Sequence, residues 1–346
     1  MSHPPLTVLG VESSCDETAA AVVRRDAGGV KVLSSVIHSQ IAQHAGYGGV
    51  VPEIAARSHV ETIDALAARA LAEAGNPELD AVAATAGPGL IGGVMVGLSF
   101  AKGFALARGL PLIGVNHLEG HALSARLVED VAFPFLLLLV SGGHCQLLIV
   151  RGVGDYERLG TTIDDAAGEA FDKAAKLLGL GYPGGPAIER AAKSATSPVG
   201  DLPRPMVGRP DCNFSFSGLK TALRQRVETL RKDGALDEAT VANLAAGFEL
   251  AVAASIADRT RRAIATARET VPDITALVVA GGVAANQRLR ASLADVASRA
   301  GLPLVAPPIR LCTDNAAMIA WAGIEHLKRG ETDALDFAPR PRWPLD

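Results

Sequence analysis

The feature that most constrains this chain is a segment that occurs twice. An apolar strand at residues 81–84, a glycine turn (Ala86-Gly-Pro-Gly-Leu-Ile-Gly-Gly93), a small-residue helix to about Arg108 and Gly109-Leu-Pro-Leu-Ile113 follow in order. The same order returns as a strand at 274–280, the turn Gly281-Gly-Val-Ala-Ala-Asn286, a helix over about 287–300 and Gly301-Leu-Pro-Leu-Val305, 192 residues after the first signature. Each copy is preceded by an apolar hairpin. One turns through Glu12-Ser-Ser-Cys-Asp-Glu-Thr18, the other through Ser141-Gly-Gly-His144. Strands alternating with helices predict an α/β fold. Duplication predicts two related α/β halves facing one another across an interdomain cleft, with equivalent loops lining it. The halves are expected at 1–130 and 131–346. The first leaves room for a C-terminal helix to pack on it; the second carries an insertion at about 151–240 that has no matching length in the first.

Composition narrows the class of partner and compartment. Hydrophobic residues make up 49% of the 346 residues and charged residues 20%, with 36 glycines, as in a folded α/β protein. A net charge of -4 gives no global attraction to nucleic acid, so any polyanionic partner must meet a local basic patch. Cys15, Cys145, Cys212 and Cys312 are scattered and never form C-x-x-C, and residues 1–5 show no signal-peptide pattern. Together these predict a cytoplasmic protein without disulfides. The longest apolar run, residues 131–140, is far shorter than the roughly 20 residues that span a bilayer. It predicts a buried strand, and no membrane association is expected.

Chemistry gathers where the first copy ends. In Asn116-His-Leu-Glu-Gly-His121 the two histidines are four residues apart at the start of a helix, so they share one face with Cβ atoms about 5–6 Å apart, as a metal pair requires. By the register of the repeat, Leu311-Cys-Thr-Asp314 falls at the matching point of the second half, which makes Asp314 the third ligand. A His2Asp set with open positions suits catalysis rather than a closed structural site. In the insertion, Asp172 and Gly185 are candidates for ribose contact and Lys220 for an anion. Arg259, Arg261, Arg262 and Arg268 on a helix from about 240 to 270 read first as a solvated face and second as an RNA contact. The tail Phe337-Ala-Pro-Arg-Pro-Arg-Trp-Pro344 is basic and too rich in proline for a helix.

Seven motifs in order carry a resemblance over almost the whole chain: Glu12-Ser-Ser-Cys-Asp-Glu-Thr18, Gly48-Gly-Val-Val-Pro-Glu53, Asn116-His-Leu-Glu-Gly-His121, Leu139-Val-Ser-Gly-Gly-His144, Asp164-Asp-Ala-Ala-Gly-Glu-Ala-Phe-Asp172, Asn213-Phe-Ser-Phe-Ser-Gly-Leu-Lys220 and Cys312-Thr-Asp-Asn315. The sequence resembles the TsaD (Gcp/YgjD) family of tRNA N6-adenosine threonylcarbamoyltransferases, bacterial type. The resemblance implies the duplicated actin-like, sugar-kinase and Hsp70 ATPase fold. It implies an acyltransferase that moves threonylcarbamoyl from threonylcarbamoyl-AMP to N6 of adenosine 37 in tRNAs reading ANN codons. His117, His121 and Asp314 resemble the metal ligands, for one divalent ion per subunit, iron ahead of zinc. Leu139, Val140, Ser141, Gly142, Gly143, Asp172, Gly185 and Asn286 resemble the substrate-binding positions. Glu189 stands where some relatives carry Asp and is left outside the site. Implied partners are a catalytically inactive paralogue subunit and a small P-loop ATPase subunit.

No catalytic residue is assigned; Glu12 and Asp16 are the candidates for general base. A small-molecule kinase or ATPase of the same superfold is the alternative, and it leaves the His2Asp set idle. A metallopeptidase is disfavoured, because zincins carry H-E-x-x-H and inverzincins H-x-x-E-H, whereas Glu119 is third in His117-Leu-Glu-Gly-His121. Glu119 itself has no assigned role.

Overall fold

The computed structural model describes every residue except 1–3, Gly48 and Asp233. The signal-peptide reading of residues 1–5 and the first glycine of Gly48-Gly-Val-Val-Pro-Glu53 therefore lie partly outside the described residues. The chain forms two compact units: Met1–Asp130 with Thr313–Asp346, and Val131–Cys312.

In the first unit, β1 (Leu6–Glu12), β2 (Glu17–Asp26), β3 (Gly29–Ser39), β4 (Ala81–Gly87) and β5 (Leu112–Asn116) make one sheet ordered β3-β2-β1-β4-β5. The hairpin strands pair antiparallel, while β4 and β5 run parallel to β1. Helices α1 (Ile41–His44), α2 (Pro52–Glu73), α3 (Ile91–Arg108) and α4 (His117–Leu123) connect or follow these strands.

The second unit repeats this arrangement. Its strands β6 (Phe135–Val140), β7 (Cys145–Gly152), β8 (Asp155–Thr161), β9 (Leu277–Ala280) and β10 (Leu304–Val305) are ordered β10-β9-β6-β7-β8, with the same parallel and antiparallel pairings. Phe135-Leu-Leu-Leu-Leu-Val140 is buried at every position because β6 lies between β7 and β9, and a central strand covered on both faces needs no polar alternation. Around this sheet lie α5 (Ala167–Leu178), α6 (Gly184–Ala192), α7 (Ser217–Arg231), the long α8 (Glu238–Thr270), α9 (Gln287–Arg299) and α10 (Ile309–Cys312). Leu244, Phe248, Val252 and Ile256 of α8 belong to the same buried cluster as Leu136 and Leu138 of β6.

The last helix, α11 (Ala316–Leu327), groups with the first unit, where the expected first half left room for a C-terminal helix. Ten consecutive residues of α11, Ala316 to Glu325, are buried, and glycines let it lie close to the sheet. A Cβ on Gly10 of β1 would strike the Ala316 carbonyl, and one on Gly323 would lie 2.5 Å from Ala83 Cβ on β4. Apolar surface on all sides of a helix must be covered on all sides, which holds the segment to β1 and β4. The insertion starts later than residue 151, because β8 is the counterpart of β3 and completes the repeated three-strand hairpin.

Candidate active site

Two Asn-capped helices deliver the histidines and the aspartate. β5 ends at Asn116, whose Oδ1 accepts from Leu118 N at 2.9 Å, so α4 begins immediately with His117 and carries His121 one turn on. Asn315 caps α11 in the same way, accepting from Met318 N at 3.0 Å, and Asp314 precedes it. Gly120 lets the two helices meet: a Cβ there would lie 2.9 Å from Ile319 Cδ1 of α11. Asp314 Oδ1 consequently sits 3.0 Å from His121 Nε2 and 3.5 Å from His117 Nε2. One donor atom from each of the three residues lies within 4.8 Å of the others. All three residues fall within the first unit, so Asp314 is not contributed by a facing half. The register of the repeat placed it correctly in the chain, and the packing of α11 decides to which unit it belongs.

The surroundings suit a cation. His117 Nδ1 is 2.9 Å from Glu12 Oε2 and 3.2 Å from Ser14 Oγ, which turns its Nε2 toward Asp314. A carboxylate on the far nitrogen is the usual orienting partner of a metal-ligating histidine. His121 Nδ1 is buried without a hydrogen-bond partner among the described residues, a cost of about 1–3 kcal/mol that functional sites tolerate more than ordinary cores do. Burial works against charge on His117, but Glu12 and Asp314 outweigh it and raise its pKa well above the ordinary value. Burial likewise opposes ionisation of Asp314, and the two histidines overcome it, holding the carboxyl well below its usual range. Nearby Glu17 is pushed up to about 9 by burial and by the charges of Asp314, Asp16 and Glu12. Excess carboxylate around two imidazoles is a donor set that a divalent cation relieves.

Glu12 is fully committed. It accepts from Thr85 Oγ1 at 2.5 Å and Ser14 N at 2.6 Å besides pairing with His117, which removes it from the two candidates for general base. Glu119 points away from a peptidase role, its Oε2 lying 2.8 Å from His326 Nε2 on α11. Sequence reasoning missed both partnerships. The pairs are 105 and 207 residues apart, so no local spacing announces them.

The eight expected substrate positions all lie in the second unit. Leu139 and Val140 are fully buried in β6, so the open part of their stretch is Ser141 to Gly143, where a Cβ on Gly142 or Gly143 would meet nothing within 4 Å. The tip is pinned at its back: Gly168 N and Glu169 N of α5 donate to the Ser141 and Gly142 carbonyls at 3.1 and 3.2 Å. Asp172 Oδ1 accepts from Gly184 N at 2.7 Å, fastening the first turn of α6 beside Gly185. Asn286 caps α9 through Oδ1 and donates from Nδ2 to Glu249 Oε1 at 2.7 Å. Glu189, left outside the expected site, accepts from Gln287 N at 3.1 Å and ties α6 to α9. Lys220 is held by Asp165 at 3.0 Å rather than facing an open anion position.

The α8 arginines are largely occupied. Arg259 is buried, bonded to Asp258 and donating to the Arg209 and Asp211 carbonyls at 3.0 and 2.8 Å. Arg261 pairs with Asp258, Arg262 donates to the Pro210 carbonyl and Arg268 to the Ala300 carbonyl. The four cysteines are free, three of them buried.

With this geometry in view, comparison with known proteins is decisive. Residues 31–321 match the family model described as "TsaD: tRNA N6-adenosine threonylcarbamoyltransferase". The chain belongs to this family. It is 59% identical to the tRNA N6-adenosine threonylcarbamoyltransferase of Rhodospirillum rubrum, over 99% of this chain and 95% of that protein. Identity to the enzyme of the same name from Paramagnetospirillum magneticum is also 59%, over 99% and 97%. Among solved structures, HypF of T. kodakarensis aligns with 95% of this chain and 48% of its own, at TM-score 0.61 and 16% identity. The activator of 2-hydroxyisocaproyl-CoA dehydratase from Clostridium difficile aligns over 95% and 99%, at TM-score 0.51 and 12% identity. These two show the fold, a duplicated α/β architecture in agreement with the repeat and with the fold that the resemblance implies. The family is one of acyltransferases that form N6-threonylcarbamoyladenosine at position 37 of tRNA, and the kinase alternative is not favoured.

Proposed function

We propose that this chain is the catalytic subunit of a bacterial threonylcarbamoyl transfer complex. In the reaction, N6 of adenosine 37 attacks the carbamoyl carbon of threonylcarbamoyl-AMP, the bond to the adenylate phosphate breaks and AMP leaves. The observation that carries the assignment is the His117, His121 and Asp314 group, two buried imidazoles and a half-buried carboxylate, intact in a chain 59% identical to enzymes of this name.

His117, His121 and Asp314 would hold one divalent cation; two imidazoles and a single carboxylate suit iron or zinc alike, and the family resemblance puts iron ahead. Bound there, the ion supplies Lewis acidity toward the carbamoyl carbonyl or the leaving phosphate. Glu12, 2.9 Å from His117 Nδ1, would keep the proton on that nitrogen and leave Nε2 for the ion. Ser141 to Gly143 let an adenylate phosphate approach bare backbone, since no side chain fills that space. Asp172 of α5, held by the Gly184 amide of α6 beside Gly185, accepts from ribose hydroxyls, and the Asn286 amide, steadied by Glu249, contacts sugar or base. Asp16 is the remaining candidate for proton acceptor.

A paralogue subunit and a small P-loop ATPase subunit are the proposed partners, in the cytoplasm, acting on tRNAs that read ANN codons. Exposed Val60 on α2 and Ile91, Met95 and Leu106 on α3 supply apolar surface for such a partner. Helices α3 and α8 are long and apolar enough to cross a membrane; 67% of the apolar window of α8 is buried inside the protein, as in a core helix.

The test supplies threonylcarbamoyl-AMP, the partner subunits and unmodified tRNA, with mass spectrometry for N6-threonylcarbamoyladenosine. The wild type should form product, and His117→Ala with Asp314→Ala should lose bound metal and at least about 1,000-fold of the rate, the scale of removing a principal electrostatic contribution. Full product from the double variant would overturn the assignment.

A further inference from the structure

The C-terminal segment after α11 is an ordered strap across the end of the first unit's sheet. Asp333 bonds β5 twice, its N donating to the Leu112 carbonyl and its Oδ2 accepting from Gly114 N, both at 2.8 Å. Lys102 Nζ donates to the Phe337 carbonyl at 2.6 Å, and the Phe337 ring fills the space above Gly114, where a Cβ would come within 2.9 Å of it. Farther on, Arg340 N donates to the Ala86 carbonyl at 2.7 Å and Gly89 N to the Pro341 carbonyl at 3.2 Å. A Cβ on Gly87 would collide with the Arg340 carbonyl, so the strap can lie flat only because β4 ends in glycine. It finishes on the residue that caps the metal helix: Asn116 Nδ2 donates to the carbonyls of Trp343 and Pro344 at 3.2 and 3.4 Å.

On this strap the Arg340 guanidinium stacks on both Phe337 and Trp343, at 4.9 and 4.8 Å from the ring centroids, and remains exposed. Arg342, two residues on, is exposed and makes no ion pair or hydrogen bond among the described residues. The chain as a whole repels a polyanion weakly, so RNA needs a local cationic surface, and the arginines of α8 are taken up by their own unit. A guanidinium already held between two rings loses little further freedom on binding a phosphate.

We propose that Arg340 and Arg342 of the strap bind backbone phosphates of the substrate tRNA beside the helix that carries His117. The proposal rests on the tRNA reading above and adds a footprint to it. The aromatic pair orients Arg340, while Arg342 acts by charge alone.

The test is binding of unmodified tRNA by the full-length chain, followed by fluorescence anisotropy over a series of salt concentrations. Removing one phosphate-binding arginine should lower the slope of log affinity against log salt by about 0.7–0.9, so Arg342→Ala should show about one such step and Arg340→Ala with Arg342→Ala about two. Affinity near 0.1 M salt should fall by roughly tenfold for the single variant. The Arg342 side chain makes no bond that docks the strap, so the melting temperature and metal content of Arg342→Ala should match the wild type. Unchanged slopes in both variants, with tight binding by the wild type, would overturn the strap as an RNA-binding element and leave it a fastener of the metal helix. A wild type that binds no tRNA even at low salt would instead overturn the tRNA reading, and the strap proposal with it.

Discussion

The two hairpin turns show how duplication has been used. Both units place a turn after the first strand of the same five-strand sheet, yet one is packed shut and the other is bare. Ser13, Ser14 and Asp16 are buried, with Ser13 Oγ donating to the Gly93 carbonyl at 2.9 Å and Ser14 Oγ reaching His117. Gly142 and Gly143 at the equivalent tip stand exposed, with open space where side chains would be. One copy thus sets polar atoms behind His117, and the other leaves its backbone open. The same fold position is built in two ways, and the difference lies in what packs behind it.

Substitution at glycine breaks this contrast most sharply. A Cβ on Gly97 of α3 would strike Ser13 Oγ, and overpacking a buried turn costs about 1–3 kcal/mol or more. Gly97→Val should therefore lower the melting temperature by roughly 4–10 °C and weaken metal retention, because the turn carries Glu12 and Ser14. Gly142→Ala should leave the melting temperature within about 1 °C while reducing affinity for an adenylate analogue by roughly tenfold, as expected where side-chain bulk blocks only the ligand. Equal thermal losses in the two variants, followed by calorimetry, would mean that the two turns are packed alike after all.

The next effect is smaller and confined to the packed turn. Glu12→Gln preserves shape but removes the charge facing His117 Nδ1. Loss of an orienting carboxylate typically costs 10–100-fold in metal affinity. Chelator competition followed by metal analysis should show a drop in that range with little change in adenylate affinity. Undiminished metal affinity would reduce Glu12 to a buried structural acid.

How much of this was legible in the sequence follows from distance along the chain. The repeat announced two related α/β units, though not their sheet order, and the i,i+4 histidines announced their shared helix face. Asp314 was legible only through the register of the repeat, and its unit was not, because that depends on Gly10 and Gly323 admitting α11 onto β1 and β4. Among the expected substrate positions, Leu139 and Val140 turn out to be sheet interior. A motif marks a stretch, whereas burial decides which atoms in it are open. Partners such as Glu12 for His117 and Glu249 for Asn286 are side chains met only after folding.

The smallest effect concerns Glu119, which has no counterpart in the open turn of the second unit. α11 grips α4 from both of its own ends: Asp314 precedes its first turn, and His326 in its last turn lies 2.8 Å from Glu119 of α4 and 2.6 Å from Glu331. Burial disfavours the imidazolium, but Glu119 and Glu331 outweigh it and raise the His326 pKa to about 9; Arg329 on the far side of Glu331 and the Lys328–Glu325 pair complete the nearby charges. A group whose folded pKa lies above its unfolded value stabilises fully below the latter, near 6.5, and loses its contribution as pH rises through the former. Compared with His326→Gln, the wild type should melt about 2–6 °C higher at pH 6, and the gap should close as the pH passes 9. A gap that stays constant from pH 6 to about 10 would mean that the ion pair contributes nothing and that Glu119 is held by packing alone. A closing gap would make His326 the clasp that fixes α4, and with it both histidines, against the helix that presents Asp314.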